Sequence, residues 1–417
     1  MDDQPGLARR LGTTDAVVIG LGSMIGAGVF SAFGPAARAA GAGLLIGLGV
    51  AAVIAYCNAT ASAQLAAVYP TSGGTYIYGR ERLGPWWGFF AGWGFVIGKS
   101  ASCAAMALTV ASYAVPGPHW SQRIIGVGAV VLLIALNYRG VTKTAMLARI
   151  LLACTLIALA AVVIGIAVAK PEPPHLIHWP SGTIYGVLQS AGLLFFAFAG
   201  YARIATMGEE VRDPARTIPR AITLALAIAV AIYFVVGVAA LLAAGPDRLA
   251  HAAAPLAEAV RAVGVPVLVP VITIGAALAS LGALLALIAG LGRTVLAMAR
   301  HRDLPAWLAA VHPRYRVPHH AEVALGVVVS VLVATVDLRG VIGFSSFGVL
   351  IYYAIANASA YTLPASGEKR WRRILNVCGL AGCLLLVATL PWQSVISGLV
   401  VFAVGIIGRA VVLRRRA

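Results

Sequence analysis

Long apolar stretches, separated by short polar, basic or Pro- and Gly-rich segments, run through this chain from end to end. Windows of about 20 apolar residues, the length that crosses a hydrocarbon core as a helix, predict spans at 15–39, 43–68, 86–114, 122–138, 145–169, 184–206, 219–243, 265–292, 321–337, 340–363, 374–390 and 393–413. This is the pattern of an all-α polytopic membrane protein with twelve transmembrane helices. One stretch of the first span is built against regular helix. GLGSMIGAGVF, Gly20 to Phe30, places Gly20, Gly22, Gly26 and Gly28 within eleven positions, and each glycine costs about 1 kcal/mol against alanine in a helix interior. Inside hydrocarbon, unwound backbone is tolerated only where it is covered by protein or lines a cavity, because unpaired N–H and C=O groups are costly there. Two readings stand. The run is a break facing a ligand, with a half-helix starting near Ala27 that offers N–H groups to an anion such as a carboxylate. Alternatively it is a small-residue packing face, Gly22 and Gly26 having GxxxG spacing.

A later stretch separates the two. FFAFAGYARIATMGEE, Phe195 to Glu210, passes from an aromatic run through Ala199-Gly200-Tyr201 to Arg203, an arginine at a depth where charge is disfavoured. It opens the sixth span as Gly20 to Phe30 opens the first, five helices earlier. Interruptions at corresponding positions of two five-helix halves mark an inverted repeat with a site at mid-membrane, and packing alone then needs two coincidences. The expected divisions are a cytoplasmic N-terminus (1–14), repeat one (15–169), repeat two (184–363), two further helices (374–413) that read as a peripheral or oligomer-forming hairpin, and a cytoplasmic tail (414–417).

Composition adds the class and the topology. Hydrophobic residues make up 60% of the chain and charged ones 11%, while the formal net charge is +17. In a soluble protein that charge would suggest nucleic acid; here its distribution along the chain reports orientation instead. With the N-terminus inside, the inner segments hold 23 lysines and arginines and the outer ones six, namely Arg38, Arg123, Lys170, Arg248, Arg261 and Arg339. That asymmetry fits the positive-inside rule with both termini cytoplasmic, in the cytoplasmic membrane. Residues 1–14 are polar and the first apolar segment is too long for a signal peptide core.

Lys99 and Arg203 remain within predicted spans. Lysine at mid-membrane is disfavoured by about 2.5–3.5 kcal/mol on insertion scales and faces a cavity or a partner. Lys99 reads either as a functional charge in the transport pathway or as a structural group bonding helix-end carbonyls of the broken first span. Glu209 and Glu210, followed by VRDPARTIPRAI, suggest a cytoplasmic gate, with a solvated charged loop as the alternative. Pro70, Gly73 and Gly74 mark an interfacial connector in which Tyr76 and Tyr78 anchor at the headgroups and Arg80, Glu81 and Arg82 stay wet.

An enzyme would need acids, bases or metal ligands at depth. The eight histidines (His119, His175, His178, His251, His301, His312, His319 and His320) fall in predicted loops or span ends, as do the carboxylates, with Asp15 and Glu322 at span beginnings. The five cysteines are isolated and have no metal or disulfide spacing. Neither a metal nor a cofactor is expected, and a channel filter motif is not visible.

These residues resemble a known family. GLGSMIGAGVF is similar to the first-helix signature of the amino acid–polyamine–organocation permeases, and FFAFAGYARIATMGEEVRDPARTIPRAI to their sixth helix and following loop. The similarity continues through GRTVLAMARHRDLPAWLAAVHPRYRVPHHA and reaches about residue 363, nearest to bacterial relatives of the cationic amino acid transporters. The resemblance implies a LeuT-type fold of two inverted five-helix repeats plus two helices. It also implies secondary transport of an α-amino acid by alternating access, through proton coupling or exchange. Met24, Ile25, Gly26, Ala27 and Gly28 would surround the substrate carboxylate and help coordinate its amino group. Phe196, Phe198, Ala199, Gly200 and Tyr201 would supply carbonyls to the amine and an aromatic gate. Thr155 stands where several relatives hold a fifth-helix lysine, so Lys99 is the candidate to replace it, a lysine kept from water giving up its proton more readily. Arg203 departs from the uncharged residue expected there, and either biases the pocket toward acidic or neutral side chains or pairs with a carbonyl. A polyamine or organocation carrier and a non-transporting amino acid sensor are the alternatives. The expected partners are an amino acid, protons and the bilayer; the oligomeric state is left open.

Overall fold

The protein is described by a computed structural model over residues 11–69, 73–115, 117–140, 145–169, 182–205, 207, 210–364 and 370–414. Glu209, Lys170, His175 and His178 lie outside the described residues. The helices are α1 (Thr13–Met24), α2 (Ala27–Ser31), α3 (Phe33–Ala40), α4 (Leu44–Val68), α5 (Thr75–Leu83), α6 (Pro85–Ala114), α7 (His119–Tyr138), α8 (Ala145–Ala169), α9 (Ile184–Phe198), α10 (Ala202–Ala205), α11 (Pro214–His251), α12 (Pro255–Ala262), α13 (Val269–Arg300), α14 (His319–Thr335), α15 (Leu338–Tyr361), α16 (Arg370–Thr389) and α17 (Trp392–Arg414). Ten segments among the described residues are long and apolar enough to cross a membrane, and two shorter apolar helices, His319–Thr335 and Arg373–Thr389, accompany them. It is an all-helical multi-pass membrane protein.

Local chemistry sets several boundaries. Pro85 opens α6 at a position where its missing N–H costs nothing, and Asp337 caps α15 by accepting from the Gly340 amide at 3.0 Å. α11 starts earlier than the predicted 219–243, at Pro214, with Pro219 inside it, and a kink close to the predicted end separates it from a short helical segment that runs on to His251. Its one non-helical residue, Gly245 at φ 71°, sits just before Pro246.

α6 lies at the centre, packed against α13 and α15. Its window is almost wholly buried, whereas α17 is largely exposed on the periphery, as lipid-facing helices are when tails are as apolar as leucine. Leu11 pairs with Val211 across two backbone bonds, Leu11 N to Glu210 O at 3.1 Å and Arg212 N to Leu11 O at 2.9 Å. Tyr78 Oη reaches Ala205 O at 3.5 Å. These contacts gather the start of α1, α5 and the end of α10 at one face, the basic face, with Arg80, Arg149 and Arg212 around it.

One expectation is corrected at this face. Tyr76 and Tyr78 do not anchor at headgroups but are buried, at 1% exposure each, because the connector folds back as α5 against α6 and α15. Arg409, one of the basic residues of the inner segments, is buried as well. Its side chain is 4% exposed and its guanidinium lies 2.9 Å from Asp303, over the Trp86 and Phe89 rings at 4.3 and 4.9 Å. Asp303, just past α13, also pairs with Arg80 at 3.2 Å and accepts from Tyr76 Oη at 2.8 Å. Burial and then that carboxylate push the Tyr76 hydroxyl's pKa up, which keeps it a donor.

Candidate functional site

The glycine-rich run of the first span stays helical through Gly20 and Gly22 as far as Met24. The break is confined to Ile25 (ψ 58°) and Gly26 (φ −106°, ψ −136°), after which α2 restarts at Ala27. In the sixth span the chain does not become extended; α9 passes through a tightened turn of 3₁₀ helix, Ala199–Tyr201, into α10. The two irregular segments meet. A Cβ on Gly200 would lie 2.4 Å from Ser23 C and O and 2.5 Å from Met24 N, and one on Gly28 would lie 2.6 Å from Ala197 Cα. Glycine is what lets these two backbones touch, so close packing and a break coexist in one element. Tyr233 of α11 ties them together by donating toward both Met24 O at 2.6 Å and Ala197 O at 2.9 Å.

Beside this crossing is a cavity of about 350 Å³ whose lining includes Ser23, Lys99, Ala199, Gly200, Arg203 and Glu210, with Ala283 and Arg293 from α13. It extends past Gly73, Tyr76 and Ala297 toward the basic face. Further along α6, outside the lining of this cavity, the Tyr113 hydroxyl donates to Phe30 O at 2.8 Å and accepts from the Leu256 amide at 3.2 Å, joining α6, α2 and α12. The rings of Phe30 and Tyr113 meet edge to face at 5.9 Å. A hollow of this size suits a small molecule.

Of the ten expected binding residues, Ala199 and Gly200 line the cavity. Met24, Ile25, Gly26, Ala27 and Gly28 are buried behind it, Gly26 being separated by Ala283, whose Cβ is 3.1 Å from where a Gly26 Cβ would stand. Phe196 and Phe198 are buried, Phe198 against Tyr233 with centroids 5.1 Å apart. Tyr201 is fully buried and stacked on Tyr353 at 5.0 Å.

Lys99 is buried in the cavity wall at 6% exposure. Its Nζ donates to Ala199 O at 3.0 Å, the carbonyl that Tyr353 Oη also approaches at 3.5 Å. The helix-end carbonyl it bonds thus belongs to the sixth span, not to the broken first one. Thr155 is buried in α8, its hydroxyl turned back onto Leu151 O at 2.8 Å. Arg203 lines the cavity and pairs with Glu210 at 3.5 Å.

Sequence reasoning passed over Ser23, Tyr233 and Arg293. Arg293 was counted with the basic loops, but α13 runs on to Arg300 and keeps it on the cavity wall. The signal for Tyr233 was the one tyrosine within an apolar span.

Comparison with known proteins follows the same lines. The model of the family described as "Amino acid permease" matches residues 11–408. The chain is 60% identical to an uncharacterized transporter of Mycobacterium tuberculosis, over 99% of this chain and 93% of that one. It is 26% identical to the branched-chain amino acid permease of Bacillus subtilis, covering 96% and 92%. It is 27% identical to cationic amino acid transporter 7 of Arabidopsis thaliana, covering 94% and 72%.

Proposed function

This chain belongs to the amino acid permease family, a family of membrane transporters and not of enzymes, and from that premise we propose that it moves an α-amino acid by alternating access. The observation that carries the proposal is the cavity beside the crossing of two irregular helices, lined by Ser23 of the first and by Ala199 and Gly200 of the second. A zwitterion needs carbonyl acceptors for its ammonium and N–H donors for its carboxylate at close quarters. Two discontinuous helices supply both without a buried carboxylate.

In this proposal Ala199 O and its neighbours receive the amine, and the peptide groups from Met24 to Gly28 receive the carboxylate once Ser23 and Ala283 shift aside. The shorter helices α14 and α16 complete twelve spans, and α1–α8 and α9–α15 form the two inverted halves of a LeuT-type fold, with α16 and α17 outside them. In this reading the basic face and both termini lie in the cytoplasm, which the excess of basic residues in alternate segments supports. The structure is then an inward-facing state, with Arg203–Glu210 at the cavity mouth as part of an inner gate.

Lys99 is the coupling group of this proposal. Charged, it is held by Ala199 O; substrate amine arriving at the same carbonyl competes with it, and discharging Lys99 frees the carbonyl. With Lys99→Met, uptake of radiolabelled amino acid into proteoliposomes loses its dependence on an imposed pH gradient, gradient-driven accumulation falling about tenfold while exchange persists. Wild-type uptake indifferent to pH and sodium gradients, or unchanged coupling in the variant, would remove Lys99 from this role.

A further inference from the structure

Both ends of the proposed path carry the same sign of charge, and we infer that the transported amino acid bears a net negative charge, having an acidic side chain. The inference rests on the transport reading above and names the substrate class for it.

The first observation is a second hollow, about 210 Å³, at the face opposite the basic one. Arg38, Arg123, Arg339, His119 and His251 line it from α3, α7, α15 and the end of α11, against Asp337 as the acid among the described lining residues. Asp337 is already engaged as the cap of α15. Arg339 reaches Gln189 Oε1 at 3.5 Å, while its Nε is buried with no hydrogen-bond partner among the described residues. His251 Nδ1 is held by Asp247 O at 2.8 Å. The general enrichment of membrane proteins in basic residues does not account for this cluster, because this is the face that enrichment leaves bare. Of the six lysines and arginines that fall in the opposite segments, three stand around this one hollow.

The second observation is independent of the first. Among the described residues the main cavity is lined by Arg203 and Arg293, and by Lys99 while it is charged, against Glu210, and Glu210 is paired with Arg203. The linings of the two hollows approach one another along α6, Met106 belonging to the first and Leu108 and Ser112 to the second. A side chain crossing from one to the other therefore meets an excess of positive charge among the described lining residues of both hollows. Each excess charge within roughly 8 Å of a ligand, in a site between protein and water, changes the affinity for one ligand charge about fivefold. Charge of one sign lining a cleft also speeds capture of the opposite sign, and salt weakens that effect. An acidic amino acid gains at both hollows, a neutral one is indifferent, and a basic one is repelled twice.

The test is a competition series on the full chain in proteoliposomes, using glutamate, aspartate, leucine and lysine at low and high ionic strength. Glutamate or aspartate is expected to saturate uptake at concentrations at least tenfold below leucine, with lysine failing to compete, and high salt should raise KM for the acidic amino acid about fivefold but not for leucine. Arg123→Gln should raise KM for glutamate about fivefold, and Arg123→Lys should restore most of it; both variants are checked for monodispersity by size exclusion. Leucine or lysine competing as well as glutamate, or a glutamate KM unmoved by Arg123→Gln, overturns the inference and leaves amino acid transport standing. Uptake of none of the four amino acids by folded protein overturns the transport reading, and this inference with it.

Discussion

Gly200→Ala lowers amino acid uptake about a hundredfold, while Gly22→Ala, on α1 one residue before the Ser23–Met24 backbone that Gly200 touches, leaves it near wild type. The added methyl at position 200 would sit 2.4 Å from Ser23 C and O and 2.5 Å from Met24 N. These are backbone atoms, which cannot swing away as the end of a flexible side chain can. The two irregular segments must separate by about an ångström, and displacement of that order at a positioned site costs about a hundredfold, or roughly 2.7 kcal/mol. At Gly22 a methyl meets nothing within 4 Å, so the control makes the same substitution in the other of the two crossing spans without moving the crossing. Initial uptake rates in proteoliposomes, on protein matched by size-exclusion profile, make the comparison. Equal loss in both variants would mean that glycine matters here for helix propensity and not for the contact.

Asp303→Asn is expected to lower stability by about 3–5 kcal/mol, the usual result of removing one partner from a buried ion pair. The change keeps the shape and one acceptor for Tyr76 but leaves the Arg409 guanidinium, whose side chain is 4% exposed, without its counter-charge. Arg80, at 27% exposure, loses less because water reaches it. The effect reaches the transport core, since Asp303 joins the last helix, α5 and the end of α13 in one cluster. Thermal melting followed by size exclusion reads it, and adding Arg409→Met should recover much of the loss by removing the stranded charge. A melting profile unchanged by Asp303→Asn would show that the cluster does not hold these elements together.

Ten of the spans were legible because apolar runs of the right length have few other uses, and the break at Ile25–Gly26 was legible because four glycines crowd one span. The sixth-span irregularity was visible only as residues unsuited to its depth, Gly200 and Arg203, and such residues do not specify whether backbone opens or tightens. It tightens, into one 3₁₀ turn that brings Gly200 onto Ser23. The Asp303 cluster was invisible because Arg80 and Asp303 are 223 residues apart, and a charge count by loops treats every arginine near a span end as solvated. Tyr76 and Tyr78 misled in the same way: tyrosine suits a membrane interface and a buried donor site equally, and only the folding back of α5 distinguishes the two. Lys99 was legible as a charge in need of a partner, while the partner itself, Ala199 O, lies 100 residues on.

The central claim is that the amino acid occupies the hollow where the first span breaks against the sixth, reached from the basic face. Ser23→Cys, in a background with the native cysteines replaced, puts a thiol at that point, where the wild-type hydroxyl turns to Ile19 O at 2.9 Å. The rate of its modification by a membrane-impermeant maleimide, added from the basic face with and without a saturating transported amino acid, is the measurement. The thiol should react, and the amino acid should slow it at least tenfold. A reaction rate indifferent to an amino acid that the protein demonstrably carries would place the substrate elsewhere and contradict the claim.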